Sequence, residues 1–193
     1  LIERFLGLER TCLLNPMRKR KWGQISTAET LLQSERLRSL NPYEASQLYQ
    51  SLPISQRKLS KFLSNPLADL QECLWFLLYE EAPYEIRVWE FLDDLGGYRL
   101  IGSDQTLVGA LFCTHDPTMF GLVGAKATKA LKNLGMLPIF KPKESHAGRF
   151  QKLQEALWEI CKIGNLQNFM VADDFLETLA LGMLEGNETS AKL

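Results

Sequence analysis

Four consecutive cations, Arg18, Lys19, Arg20 and Lys21, stand directly before Trp22. The run joins phosphate-seeking charge to an aromatic ring that can stack on a base. A second basic feature lies further along, where Lys126, Lys129 and Lys132 recur at every third residue and Lys141 and Lys143 follow in a proline-interrupted loop. The plain alternative for such a row is a solvated helix face. Nucleic-acid binding gains weight if the fold brings the two patches together.

Other chemistries find less support. Gly121-Leu-Val-Gly124-Ala-Lys126-Ala-Thr128 faintly resembles a phosphate loop, but the glycine spacing is short, no lysine follows the second glycine directly, and no strand precedes it. Cys113-Thr-His115-Asp116 would need further metal ligands from elsewhere, and the chain has only two histidines. Asp116 reads more simply as a helix cap before Pro117, and His115 as a helix-end residue. Asp173-Asp174 could hold Mg²⁺ as paired carboxylates, but fits better as acidic charge at the N-terminus of a helix. No Gly-x-Ser-x-Gly elbow is present, and neither histidine sits where it would activate a nucleophile. We therefore expect no enzyme activity, no catalytic residue, no metal site and no cofactor.

The elements that must position the basic residues are helices. Leu67, Leu70, Leu74, Leu77 and Leu78 recur at helical spacing until Pro83, and a helix over about 84–95 is expected to stop at a left-handed Gly96-Gly97 cap. A short helix over 104–115, apolar on nearly every side, belongs in the centre of the fold. Residues 123–134 place Ala127, Ala130 and Leu131 opposite Lys126, Lys129 and Lys132, and Gly135 ends that helix. Two more amphipathic helices are expected over 145–162 and 173–184. Asn41-Pro42, Asn65-Pro66 and Asp116-Pro117 each read as an N-cap followed by a first-turn proline. Residues 11–25 are the least legible stretch, with Arg18–Lys21 as a basic loop or arm. Strand signals are sparse, so the fold class is all-α.

At 193 residues the chain can bury one sizeable core without disulfides or metal. Cys12, Cys73, Cys113 and Cys161 form no Cys-x-x-Cys pair and read as reduced thiols, buried where they fall in apolar patterns. Leu1 to Arg10 lack a signal-peptide core and no window is apolar enough to span a bilayer, so a cytoplasmic protein without a membrane partner is expected. Net charge is −1 by cancellation: +6 over residues 1–68, −6 over 69–100, +3 over 101–150 and −4 over 151–193.

Two resemblances add to this reading. Residues 98–136 resemble the helix-hairpin-helix core of DNA glycosylases, with Leu100-Ile-Gly102-Ser103-Asp104 at the tight turn, Leu107 to Phe112 in the buried helix, Asp116-Pro117 in the loop and Leu134-Gly135 at the close. By spacing, the family's first turn glycine is Leu100 here, its catalytic lysine falls at Asp104 and its catalytic aspartate at Gly124. Neither substitute can form a Schiff base or stabilise an oxocarbenium, so the resemblance implies a scaffold without base-excision chemistry. Residues 66–180 more closely resemble a helical module of prokaryotic defence proteins, found beside McrB-type AAA+ GTPases of modification-dependent restriction systems. Leu74 to Tyr79, Arg87, Tyr98 to Gly102, Leu111 to Pro117, the helix from Arg149 and Asp173 to Leu176 carry that likeness. It implies a sensing or assembly module whose AAA+ motor or nuclease is another domain or chain.

The expected organisation is an N-terminal helical extension with a basic arm (1–65), a glycosylase-like helical domain (66–185) and a flexible tail (186–193). The expected function is non-catalytic binding of nucleic acid, most simply DNA, through Arg18 to Lys21, Trp22, Lys126, Lys129, Lys132, Lys141 and Lys143, with any sequence reading from Trp22 or the Gly102-Ser103 turn. The alternative is a protein-interaction module that docks a partner through the acidic segment 69–94 and exposed aromatics. An active glycosylase or nuclease ranks last.

Overall fold

The computed structural model describes residues 1–184. The expected tail lies outside the described residues. Within them the chain forms α1 (Ile2–Arg10), α2 (Asn15–Trp22), α3 (Ile25–Leu31), α4 (Ser34–Arg38), α5 (Pro42–Ser51), a 3₁₀ turn (Gln56–Lys58) and α6 (Leu59–Leu63). There follow α7 (Leu67–Tyr79), α8 (Tyr84–Leu92), α9 (Gln105–His115), α10 (Ala125–Asn133), α11 (His146–Gly164) and α12 (Phe169–Ala180). The described chain is all-helical, with no strand.

As its pattern predicts, α9 is central: every residue from Leu107 to Thr114 is buried. α3 and α7 pack against it, α8 lies on α11, and α10 lies along α12. Phe5 of α1 meets Phe175 of α12 edge-on at 5.5 Å, and one apolar core runs from Phe5 to Leu184. Residues before 66 are also tied in by polar bonds from α7, since Trp75 Nε1 donates to Ser34 Oγ at 2.7 Å and Tyr79 Oη to the Leu32 carbonyl at 2.8 Å.

Capping explains most helix ends. Asn41 and Glu44 form a reciprocal capping box, and Asp104, Ser145 and Asn168 each accept a backbone N–H from the first turn of α9, α11 and α12. Gly135, at φ +69°, closes α10 in the left-handed region, with Met136 N–H bonded to the Leu131 carbonyl at 2.8 Å.

Several expected boundaries are corrected. Arg18–Lys21 is not a loop: it lies in α2. The last helix begins four residues before Asp173, because Asn168 is its cap, so Asp173 and Asp174 sit in its second turn and are buried. Gly96-Gly97 caps nothing; α8 ends at Leu92, and Asp93 turns its carboxylate to accept the His146 and Ala147 N–H groups of α11. Asp116-Pro117 opens a turn rather than a helix, with Asp116 Oδ1 accepting from Thr118. Asn65 does not cap α7 but clasps Ile101, donating to its carbonyl at 3.0 Å and accepting its N–H at 2.8 Å. Of the thiols, Cys73 and Cys113 are buried while Cys12 is exposed. Burial pushes the Cys113 thiol up to about 12.

Candidate nucleic-acid interface

α12 decides what the basic residues do. Its middle turns are apolar on every side, yet carry Asp173, Asp174 and Glu177, each withdrawn from water. An isolated carboxylate there would be costly, so each must find a cation or a donor. α2 and α10 supply them.

Arg18 Nε bonds Asp174 Oδ2 at 2.5 Å, and its Nη2 bonds Glu9 Oε1 at 2.7 Å. Trp22 Nε1 donates to the other Asp174 oxygen at 2.9 Å. Lys21 Nζ reaches Glu177 Oε2 at 2.7 Å and also pairs with Asp173. Lys126 pairs with Glu177 Oε1, which Arg20 approaches at 3.8 Å. Burial raises the Glu177 carboxyl, but the hydrogen bonds and charges of Lys126 and Lys21 outweigh it, and the group is held below the ordinary glutamate range. Lys129 donates to the Ala180 carbonyl at 2.8 Å, satisfying an end of α12.

Between α2, the 50–56 segment and the start of α10 lies a cleft of about 870 Å³. Lys19, Arg20, Lys21 and Lys126 line it, with Asp173 and Glu177 as its acidic floor. Leu52, Pro53, Ile54, Leu122 and Val123 supply apolar wall. Four cations against two carboxylates leave the lining positive. Of these, the Arg20 side chain is 74% exposed and Lys21 only 13%, so Arg20 can meet a ligand from solvent and Lys21 cannot without leaving its partners. Lys19 is exposed and in no ion pair among the described residues.

One wall of the cleft is fixed with unusual completeness. Gln154, buried in α11, accepts the Gly121 N–H at 2.9 Å and donates to the Gly121 carbonyl at 2.8 Å. A Cβ at Gly109 would stand 2.7 Å from Val123 N, so α9 lies backbone to backbone against this segment.

The structure thus brings Lys19, Arg20, Lys21 and Lys126 to one cleft, but gives most of the basic residues other roles. Arg18, Lys21 and Lys126 are neutralised by carboxylates, Lys129 is a helix-end donor, and the Trp22 indole is turned to Asp174 and does not line the cleft. Lys132, Lys141 and Lys143 are exposed but line neither this cleft nor the smaller pocket nearby. Gly102, at φ +86°, makes the expected tight turn against Lys61 and Phe62, and Ser103 lines that smaller pocket. The acidic floor is what sequence reasoning missed. Its signal was three acids at i, i+1 and i+4, which share one face of a helix otherwise apolar all round, so that burying the helix calls for cations opposite that face.

Among the described residues no group of His, Cys, Asp and Glu is arranged to hold a metal ion, and no helix is long and apolar enough to cross a membrane. The chain matches no protein-family model, no curated protein and no solved structure with which it was compared.

Proposed function

We propose that the chain binds nucleic acid, without acting on it chemically, at the mouth of the cleft between α2 and α10. The observation that carries this reading is Lys19 and Arg20, two exposed cations rimming a cavity with an apolar wall. Such a cleft suits a phosphate at the rim and a base or sugar against Leu52, Ile54 and Val123. The resemblance of the 98–136 segment to the glycosylase core is in keeping with it, and Asp104 and Gly124, where that family carries its reactive residues, are in keeping with binding without chemistry. The resemblance to modules beside McrB-type GTPases supports the wider setting of a cytoplasmic defence system, with an AAA+ motor or nuclease as partner.

Fluorescence anisotropy with labelled single-stranded and duplex oligonucleotides tests the reading. The double variant Lys19→Glu/Arg20→Glu is expected to weaken binding at least tenfold. The salt slope, at about 0.7–0.9 per phosphate, should correspond to about two contacts. Equal binding by the variant and the parent overturns the proposal.

A second reading, docking of a protein partner, has its own observation. Ile86 and Trp89 are exposed one turn apart on α8, within the acidic segment, and Leu95 beyond them is 87% exposed. Capture of an AAA+ subunit that Ile86→Asp/Trp89→Asp abolishes, with oligonucleotide affinity unchanged, would favour it.

A further inference from the structure

On the far side of Thr106 from the cleft, which that residue also lines, lies a second cavity of about 410 Å³ beneath the Gly102 turn. We propose that it is a binding site for a phosphate group, held chiefly by Arg149. The site is independent of the cleft rim and does not rest on the nucleic-acid reading.

The argument starts from charge. The Arg149 side chain forms no ion pair and no hydrogen bond among the described residues, and its Nε is buried without a partner. Every other arginine facing a cavity has an acceptor: Arg20 approaches Glu177, and Arg99, which shares this pocket, pairs with Asp94 on its outer side. The Phe140 ring, 5.9 Å from the guanidinium, orients the Arg149 side chain but accepts no N–H bond in its plane. Its terminal nitrogens have no acceptor among the described residues either, and a tetrahedral oxyanion reaching them from the pocket is the group that suits a guanidinium best.

The one carboxylate among the described residues lining the pocket, Asp104, is already engaged at both oxygens, Oδ1 by the Leu107 N–H at 2.9 Å and Oδ2 by Lys58 at 2.6 Å. Nearby Asp93 is likewise occupied by the His146 and Ala147 N–H groups. The hydroxyls of Ser103 and Thr128 donate to the Leu100 and Gly124 carbonyls, which leaves Thr106 as the lining hydroxyl without a bond among the described residues. Arg149 and His146 of α11, Thr106 of α9 and Arg99 from the loop therefore present donors from three elements. A carboxylate ligand, with two oxygens, would leave part of that set idle, whereas the oxygens of a phosphate would use it. The volume exceeds what a bare phosphate fills and admits the sugar or nucleoside attached to it.

Three phosphate ligands distinguish the source: inorganic phosphate and adenosine monophosphate by calorimetric titration, and a 5′-phosphorylated oligonucleotide against its 5′-hydroxyl twin by anisotropy. We expect Arg149→Met, which keeps an apolar stem over Phe140, to weaken phosphate binding at least tenfold. Thr106→Val should weaken it a few-fold and Arg149→Lys should restore part of it. The 5′-hydroxyl oligonucleotide should respond to Lys19→Glu/Arg20→Glu but not to Arg149→Met. Affinity that rises from phosphate to the mononucleotide assigns a free nucleotide; binding confined to the phosphorylated oligonucleotide assigns a strand end. Should Arg149→Met lose its helical circular dichroism, Thr106→Val and Arg149→Lys decide the matter. The proposal falls if the parent protein binds none of the three at millimolar concentration, or if the folded variants bind them as the parent does.

Discussion

The seam between α2 and α12 and the pocket around Arg149 are both places where positive charge leaves the surface, and they treat it in opposite ways. In the seam, Arg18, Lys21 and Lys126 meet Asp174, Asp173 and Glu177, and little capacity remains for a ligand. In the pocket Arg149 lies beside the Phe140 ring with no carboxylate partner among the described residues. The denser cluster is thus mainly structural, with Lys19 and Arg20 left over at its rim, whereas Arg149 has no carboxylate against it among the described residues. Density of like charge in sequence measures neither; the carboxylates folded against it do.

Removing Glu177 should break the seam most severely. Glu177→Ala leaves Lys21 buried beside one remaining carboxylate, while Lys126 can turn to water. We expect a loss of roughly 2–4 kcal/mol, which thermal unfolding would read as a fall of roughly 5–15 °C. A fall smaller than that of an ordinary surface substitution would show the seam to be dispensable.

Acid should find the same weakness. Because the folded carboxyl of Glu177 is depressed, its stabilising contribution is fully present above the unfolded value of about 4.3 and disappears as pH drops through the lower folded value. Unfolding measured from pH 6 to pH 3 should therefore be less pH-dependent in Glu177→Gln than in the parent. Identical profiles would sever the link.

Arg149→Met sharpens the contrast from the other side. With no carboxylate to abandon, the folded protein should lose less than about 1 kcal/mol, even as phosphate affinity collapses. Denaturant midpoints check this, and a loss comparable with that of Glu177→Ala would recast Arg149 as a structural residue. Least of all is expected from Lys132→Glu, whose side chain lines neither cavity: stability within about 0.5 kcal/mol, and oligonucleotide affinity within twofold.

Much of the scaffold was legible from local signals. Periodicity found α7, α10 and α11, the all-round apolar character of α9 put it in the centre, and Asn41-Pro42 announced the start of α5. Failures came where a signal had two physical solutions. Asx-Pro marks a helix start at Asn41-Pro42, yet at Asp116-Pro117 the same pairing makes a turn, because the chain must reverse there to lay Leu122 and Val123 along α9. α2 carries almost no apolar pattern, since Met17 is its single buried residue and ion pairs hold it down, so periodicity had nothing to detect. The site was half legible. Its cations could be read, but their partners lie 156 residues away for Arg18 and 51 for Lys126, beyond any local window.

The two banks of the larger cleft are built to different standards. Gln154 grips Gly121 at both its N–H and its carbonyl, as a neighbouring β-strand would, and Gly109 lets α9 press directly on the same stretch. Across the gap, residues 52–56 are secured mainly by bonds to their immediate neighbours, such as Gln56 Nε2 to the carbonyls of Tyr49 and Ile54. The first bank is an anvil and the second a jaw: a guest of the proposed kind would have to conform to Leu122 and Val123, and any adjustment to its size would fall to Pro53 and Ile54.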